Sequence, residues 1–291
     1  MNAVGDRRLG GRPLDVAHES FLVYRRFHYL KVALLLMLTS LLPYLIWQPA
    51  TGHNGGTWLG YTLGTIGALL IVWLMLFGIR KRRYGPGHWS LKAWLSAHVY
   101  LGLSLVVVVS LHAGFQVGLN VHTLAYVLML AVIISGVFGI AVYARVPRLM
   151  TQNRMSQTLE GMAREMLDLD RHCGELAIGL GDDFAEEVRR SREETRLGGS
   201  TWRQLSARDP RCGTARALAK VRALAVPAAT REQATALVVA LQRKQELLQR
   251  ARRDIRLKAL LDLWLACHVP LSFALLAALI AHIVSVFFYW G

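Results

Sequence analysis

Between Glu19 and Glu160 the chain has no aspartate or glutamate, and four long apolar runs fall inside that gap. They cover residues 29–47, 58–79, 91–114 and 121–143, and a fifth run covers 259–290, where the one acid is Asp262. A helix needs about 20 apolar residues to cross a hydrocarbon core roughly 30 Å thick. Each run meets that length, and a soluble core seldom uses five such helices. Hydrophobic residues make up 54% of the 291. The fold expected is all-α: an integral membrane bundle of five transmembrane helices. Carboxylates inside a membrane are costly and mark ion or proton relays. Their absence argues against a carboxylate-driven pump or a proton-coupled transporter.

Basic residues set the orientation. Arg7, Arg8, Arg12, Arg25 and Arg26 lie in the N-terminal arm, and Arg80, Lys81, Arg82, Arg83 and Lys92 in the second connection. The first and third connections, around 48–57 and 115–120, carry no lysine or arginine. Positive charge stays on the cytoplasmic side, so the N-terminus is expected in the cytoplasm and the C-terminus outside, as in a bacterial inner membrane. The net charge of +15 then reads as topology signal and attraction to anionic lipid, without nucleic-acid binding. Trp47 and Trp58 fit an outer aromatic belt, with Tyr289 and Trp290, while Trp89, Trp94 and Trp264 fit an inner one. The first run follows a polar arm of almost thirty residues and reads as an anchor that is not cleaved. Cys173, Cys212 and Cys267 are too few for a disulfide framework and lack the spacing of an iron–sulfur site.

Four parts follow: a basic cytoplasmic arm (1–28), spans one to four (29–143), a polar stretch (144–258), and span five (259–291). The polar stretch is too long for a connection without structure of its own. Met155, Leu159, Met162, Met166 and Leu169 recur at helical steps. Thr230 and Gln233, after Pro227, match a capping box. A second stripe follows, of Ala234, Leu237, Leu241, Leu248 and Ile255, and runs without a breaker into span five. This predicts a helical cytoplasmic insertion between spans four and five, a hairpin in which both spans extend and pack together. Gly85, Pro86 and Gly87 mark a turn before span three, and Gly198, Gly199, Pro210 and Gly213 punctuate the insertion.

Inside this frame sit two histidine pairs of equal spacing. His98 and His112 are fourteen residues apart in span three, and His268 and His282 fourteen apart in span five. Fourteen residues is nearly four helical turns, so each pair shares a face over about 21 Å. Spans three and five are both odd-numbered and therefore parallel. That sets His98 level with His268 on the cytoplasmic side, and His112 level with His282 on the outer side. Imidazole is an axial ligand of haem iron, and two trans imidazoles leave no open position, which suits electron transfer better than oxygen binding. The four histidines are thus candidate ligands of two haems. A zinc site needs three or four ligands on one ion, which pairs so far apart do not provide. A hydrogen-bonded polar residue at a helix interface is the other reading of any single intramembrane histidine.

Further residues fit around these. His122 is a reserve outer ligand and His28 a reserve on the cytoplasmic side. His53 and His122 also stand near the outer propionates, and Arg80, Arg82, Arg83, Lys92 and Lys258 near the inner ones. Gly102, Gly114, Gly60, Gly64, Gly67, Gly136 and Gly139 offer either close approach to a macrocycle or small-residue helix packing. Pro270 should bend span five near His268.

The segments AHVYLGLSLVVVVSLHAGF and ACHVPLSFALLAALIAHIV resemble the di-haem b-type membrane cytochromes, most closely the ferric reductase-like and cytochrome b561-like transmembrane domains. The likeness covers the five spans and not the insertion. It implies two haem b groups and a bundle that moves electrons between partners on opposite faces or exchanges them with a quinone. No GxGxxG occurs, so no flavin or nicotinamide domain is expected. The expectation is a transmembrane electron-transfer subunit of an oxidoreductase, without a complete catalytic site of its own. A soluble redox protein would dock on the insertion, and a second redox partner or quinone would act outside. A quinone-reactive anchor subunit, and a non-redox scaffold or sensor, are the alternatives.

Overall fold

A computed structural model describes residues 21–50, 52–82, 90–154, 157–206, 209 and 211–289, and they include helices and no strand. Arg7, Arg8, Arg12, Arg83, Gly85, Pro86, Gly87, Trp89, Met155, Pro210 and Trp290 lie outside the described residues, as does the side chain of Arg82. Five helices are long and apolar enough to cross a membrane. A 3-10 turn, Phe21–Val23, leads into α1 (Tyr24–Ile46), followed by α2 (Trp58–Arg82), α3 (Leu91–Ala113) and α4 (Val121–Arg154). Then come α5 (Leu159–Ile178), α6 (Asp182–Glu193), α7 (Thr201–Ser206) and α8 (Gly213–Ala223). A second 3-10 turn, Ala228–Thr230, precedes α9 (Arg231–Tyr289), a single helix of 59 residues.

Local chemistry sets several boundaries. Ser90 caps α3 by accepting a hydrogen bond from the Ala93 amide at 3.2 Å. At its other end Gly114 adopts φ 58°, a left-handed turn that glycine tolerates best. A Cβ there would also lie 2.2 Å from the His53 carbonyl oxygen, so Gly114 serves both the turn and the close approach of the preceding loop. Thr158 caps α5 through the Gly161 amide at 2.9 Å. The expected capping box on α9 does not form. The Thr230 hydroxyl donates to the Pro227 carbonyl at 3.4 Å, and Gln233 donates its amide to the Leu176 carbonyl at 2.9 Å. Tertiary contact with α5 outcompetes the local motif.

The chain divides into two compact units, Met1–Tyr126 with Ala278–Gly291, and Val127–Ala277. In the first, α3 packs against both α1 and α2. Its core joins Leu59 and Leu63 to Val108 and Leu111, with Leu36, Tyr44 and Trp47 at the edge. Trp47 and Trp58 lie 5.5 Å apart, and Trp73 stacks on Trp94 at 4.7 Å. The Tyr126 hydroxyl pairs with Ser110 at 2.8 Å.

In the second unit, the stripes of α5 and α9 meet. Met162 and Met166 pack with Cys212, Leu247, Leu248 and Ala251. Cys173, Ala177, Phe184, Val188, Leu218, Leu237 and Leu241 form the neighbouring cluster with α6 and α8. Each fully buried leucine stabilises by ~1.5–3 kcal/mol. The buried Lys244 ammonium is neutralised by Asp170 and also donates to Ser191 Oγ at 3.1 Å. Asn153, one residue from the end of α4, donates to the Arg250 carbonyl at 2.8 Å and to Asp254 at 3.0 Å, and Arg154 pairs with the same carboxylate.

Candidate functional site

The histidines of α3 are held by the backbone of α2. His98 Nδ1 lies 3.1 Å from the Leu74 carbonyl oxygen, and His112 Nδ1 lies 2.7 Å from that of Gly60. A carbonyl only accepts, so each Nδ1 carries the proton, and the lone pair of the neutral ring is on Nε2. Gly60 and Leu74 are themselves fourteen residues apart, and they meet the histidines in reverse order, as antiparallel helices must. The His112 ring needs the glycines of α2. A Cβ on Gly64 would stand 2.6 Å from its Cε1. Phe77 lies beside the His98 ring, with centroids 5.1 Å apart.

The histidines of α9 are held by α4. His268 Nδ1 is 2.6 Å from Ser135 Oγ. That hydroxyl is also 2.8 Å from the Val132 carbonyl, which takes its only proton, so Oγ accepts from His268 Nδ1–H. Trp264 donates Nε1–H to the Ser135 carbonyl at 2.9 Å, and its ring stacks on His268 with centroids 5.4 Å apart. A Cβ on Gly139 would fall 2.2 Å from the Trp264 ring, and one on Gly136 3.7 Å from the His268 ring. The glycines of α2 and α4 therefore receive histidine and tryptophan rings. At the far end of α9, His282 Nδ1 lies 2.5 Å from His122 Nδ1.

All four histidines thus have Nδ1 engaged by a partner on a neighbouring helix. Such partners orient a ligand imidazole, fix its tautomer and raise the basicity of Nε2. His112 and His282 come together, with ring centroids 5.9 Å apart and planes at 88°. A centroid separation of about 6 Å is the spacing of two imidazoles that share one metal ion, each bonded at about 2 Å. His98 and His268 fall in different units, each seated by its own neighbour. Among the described residues, no group of three or more His, Cys, Asp or Glu is arranged to hold a metal ion.

The other expected residues are placed as follows. His122 is the partner of His282. His28 lies edge-on to Tyr29 at 5.0 Å, and His53 stacks on Tyr44 at 3.8 Å. Lys258 is exposed on α9, beside Asp254 and Asp262. A Cβ on Gly102 would stand 3.9 Å from the Leu74 side chain, an ordinary van der Waals contact. Sequence reasoning missed Ser135 and the Leu74 and Gly60 carbonyls. Ser135 was visible as a polar residue inside the apolar run. The carbonyls carry no side-chain signal, though the fourteen-residue repeat in α2 mirrors that of α3.

No protein family, curated protein or solved structure matches the chain.

Proposed function

We propose that the chain is the electron-transfer subunit of a membrane oxidoreductase, a di-haem cytochrome b related in design to the ferric reductase-like and cytochrome b561-like domains. His98, His112, His268 and His282 would be the haem ligands, His112 together with His282 on the outer side. Bound haem supplies a one-electron iron couple at each level. Imidazole ligation from these four residues would suit electron transfer better than oxygen binding. The Leu74 and Gly60 carbonyls and the Ser135 hydroxyl hold His98, His112 and His268 with the lone pair on Nε2. The apolar spans exclude water, and the lack of carboxylates through 20–159 leaves no acidic relay for protons in the first four spans. The basic arm and second connection support a cytoplasmic N-terminus, and the 144–258 segment is then a cytoplasmic insertion on which a soluble redox partner docks. A plasma membrane of a bacterium suits this topology.

The single observation that carries the reading is the engagement of Nδ1 in all four equally spaced histidines. A reduced-minus-oxidised spectrum of the purified chain tests it, together with haem content. Two low-spin haems are expected, with one lost in His112→Ala and the other in His98→Ala. A colourless preparation from haem-replete cells would sink the reading. Topology reporters fused at the N-terminus and within 144–258 should both report the cytoplasm.

A further inference from the structure

A third histidine, His122, stands beside His112 and His282. His122 and His282 face each other through Nδ1 at 2.5 Å, with ring planes at 89°. Only one proton fits between two ring nitrogens at that distance, so one ring donates and the other accepts. If His122 donated, His282 would use its Nδ1 lone pair for the bond and carry its proton on Nε2, which cannot then bind a metal. If His282 donates, its Nε2 lone pair is available. Resting on the cytochrome reading, we infer that His122 is the positioning residue of the outer site, accepting the Nδ1–H of His282 and fixing it in the ligand tautomer.

The start of α4 is built to hold His122 in place. Asn120 Oδ1 accepts from the Thr123 amide at 2.9 Å, and Thr123 Oγ1 accepts from the Gly118 amide at 3.0 Å. These bonds bracket His122 on both sides and set its backbone. The acceptor it offers differs in kind from the other three. His98 and His112 donate to backbone carbonyls and His268 to a hydroxyl, whereas an imidazole nitrogen is a more basic acceptor. It draws the proton further from His282 and makes Nε2 a stronger donor to the metal, which favours the oxidised iron. His122 is exposed while His282 is partly buried, so replacing His122 disturbs little packing.

Redox titration of the purified full-length chain tests this, following the two haems separately. His122→Leu should keep two haems and raise the midpoint potential of one, by about 59 mV for each tenfold loss of preference for the oxidised state. His122→Gln, which restores an acceptor, should recover part of the shift. The haem that moves must be the one lost in His282→Ala. Two unshifted potentials in His122→Leu overturn the assignment while leaving the cytochrome reading intact. So does a His282→Ala chain that keeps two haems while His122→Leu loses one, because His122 would then be the ligand. A wild-type chain without haem fails the cytochrome reading, and this assignment with it.

Discussion

Gly60 accepts the Nδ1–H of His112 at 2.7 Å, and it can do so because one turn further along α2 there is no side chain. The imidazole lies over Gly64 and reaches the carbonyl across bare backbone. A glycine costs a helix up to about 1 kcal/mol relative to alanine, so two of them four residues apart, facing a polar ring, mark a place where close approach outweighs helix propensity.

Gly64→Val should therefore displace His112. The new Cβ would begin 2.6 Å from Cε1, a separation real carbon atoms do not keep, and overpacking of this kind costs ~1–3 kcal/mol. Thermal unfolding in detergent should show the loss, and the haem that is sensitive to His112→Ala should be depleted. Gly78→Val is the control, since nothing stands within 4 Å of a Cβ there. Equal effects from both variants would refute the argument.

Ser135 offers the corresponding test at the other level. In Ser135→Ala, His268 loses its acceptor and its tautomer is no longer fixed. Loss of a partner of this kind weakens metal binding roughly 10–100-fold. Haem titration of Ser135→Ala should show one weakened site, whereas Ser135→Thr keeps the hydroxyl and should bind as wild type. Unchanged binding in the alanine variant would mean that Trp264 alone holds the ring.

Much of this was legible beforehand, for identifiable reasons. Span lengths follow from hydrophobic thickness, and α2 and α3 start at Trp58 and Leu91, where the apolar runs begin. Met162, Met166, Leu237 and Leu241 are buried as their periodicity demands. The misses share a cause. Thr230 and Gln233 satisfied a local rule, yet Gln233 found a better partner on α5, a contact between residues 57 apart that no local pattern encodes. The glycines left two readings open, close approach to a flat cofactor or small-residue helix packing, and Gly64 and Gly139 make room for the His112 and Trp264 side chains. Sequence shows that space is left, and only packing shows what fills it.

Asp254 should be most sensitive to its partner on α4. Its carboxylate is 1% exposed and meets Arg154 and Asn153. Arg154→Ala leaves the charge buried with Asn153 as its remaining side-chain partner, a penalty of ~1–3 kcal/mol, tempered because the Arg154 side chain is itself partly in water. Asp254→Asn removes the charge together with its need for a cation and should cost less. Urea unfolding of both variants gives the order, and a larger loss in Asp254→Asn would contradict it.

Glu165 links the helical segment to pH. A hydrogen bond from Gln157 holds its carboxyl below the ordinary value of 4.5; burial opposes this, and Arg243 and Arg250 act with Gln157. A carboxylate whose folded value is depressed stabilises the fold fully above its unfolded value, and that contribution disappears as pH falls through the folded one. Wild type should lose stability below about pH 4.5 more steeply than Glu165→Gln, which lacks the group. Thermal unfolding between pH 7 and pH 3 measures both slopes; parallel slopes would exclude Glu165 as a contributor.

Cys173 reports the opening of the core formed by α5, α6 and α9. Its side chain is fully buried, and burial pushes the thiol up from 9.0 to about 11, an effect that outweighs the nearby Lys244. Only the thiolate attacks a maleimide, and a rise of two pKa units cuts the thiolate fraction at pH 8 about a hundredfold. Closed packing adds a steric barrier, so labelling requires local opening. A water-soluble maleimide should therefore leave Cys173 unmodified in the folded chain and modify it rapidly in denaturant, with mass spectrometry of the peptide as readout. Lys244→Met should accelerate the folded-state reaction. It leaves Asp170 without its cation, and breaking a buried pair costs ~3–5 kcal/mol, so the core opens more often even though the lost ammonium by itself would make the thiol less acidic. Rapid labelling of wild type, or no acceleration in Lys244→Met, would mean that this core does not close over Cys173 in solution.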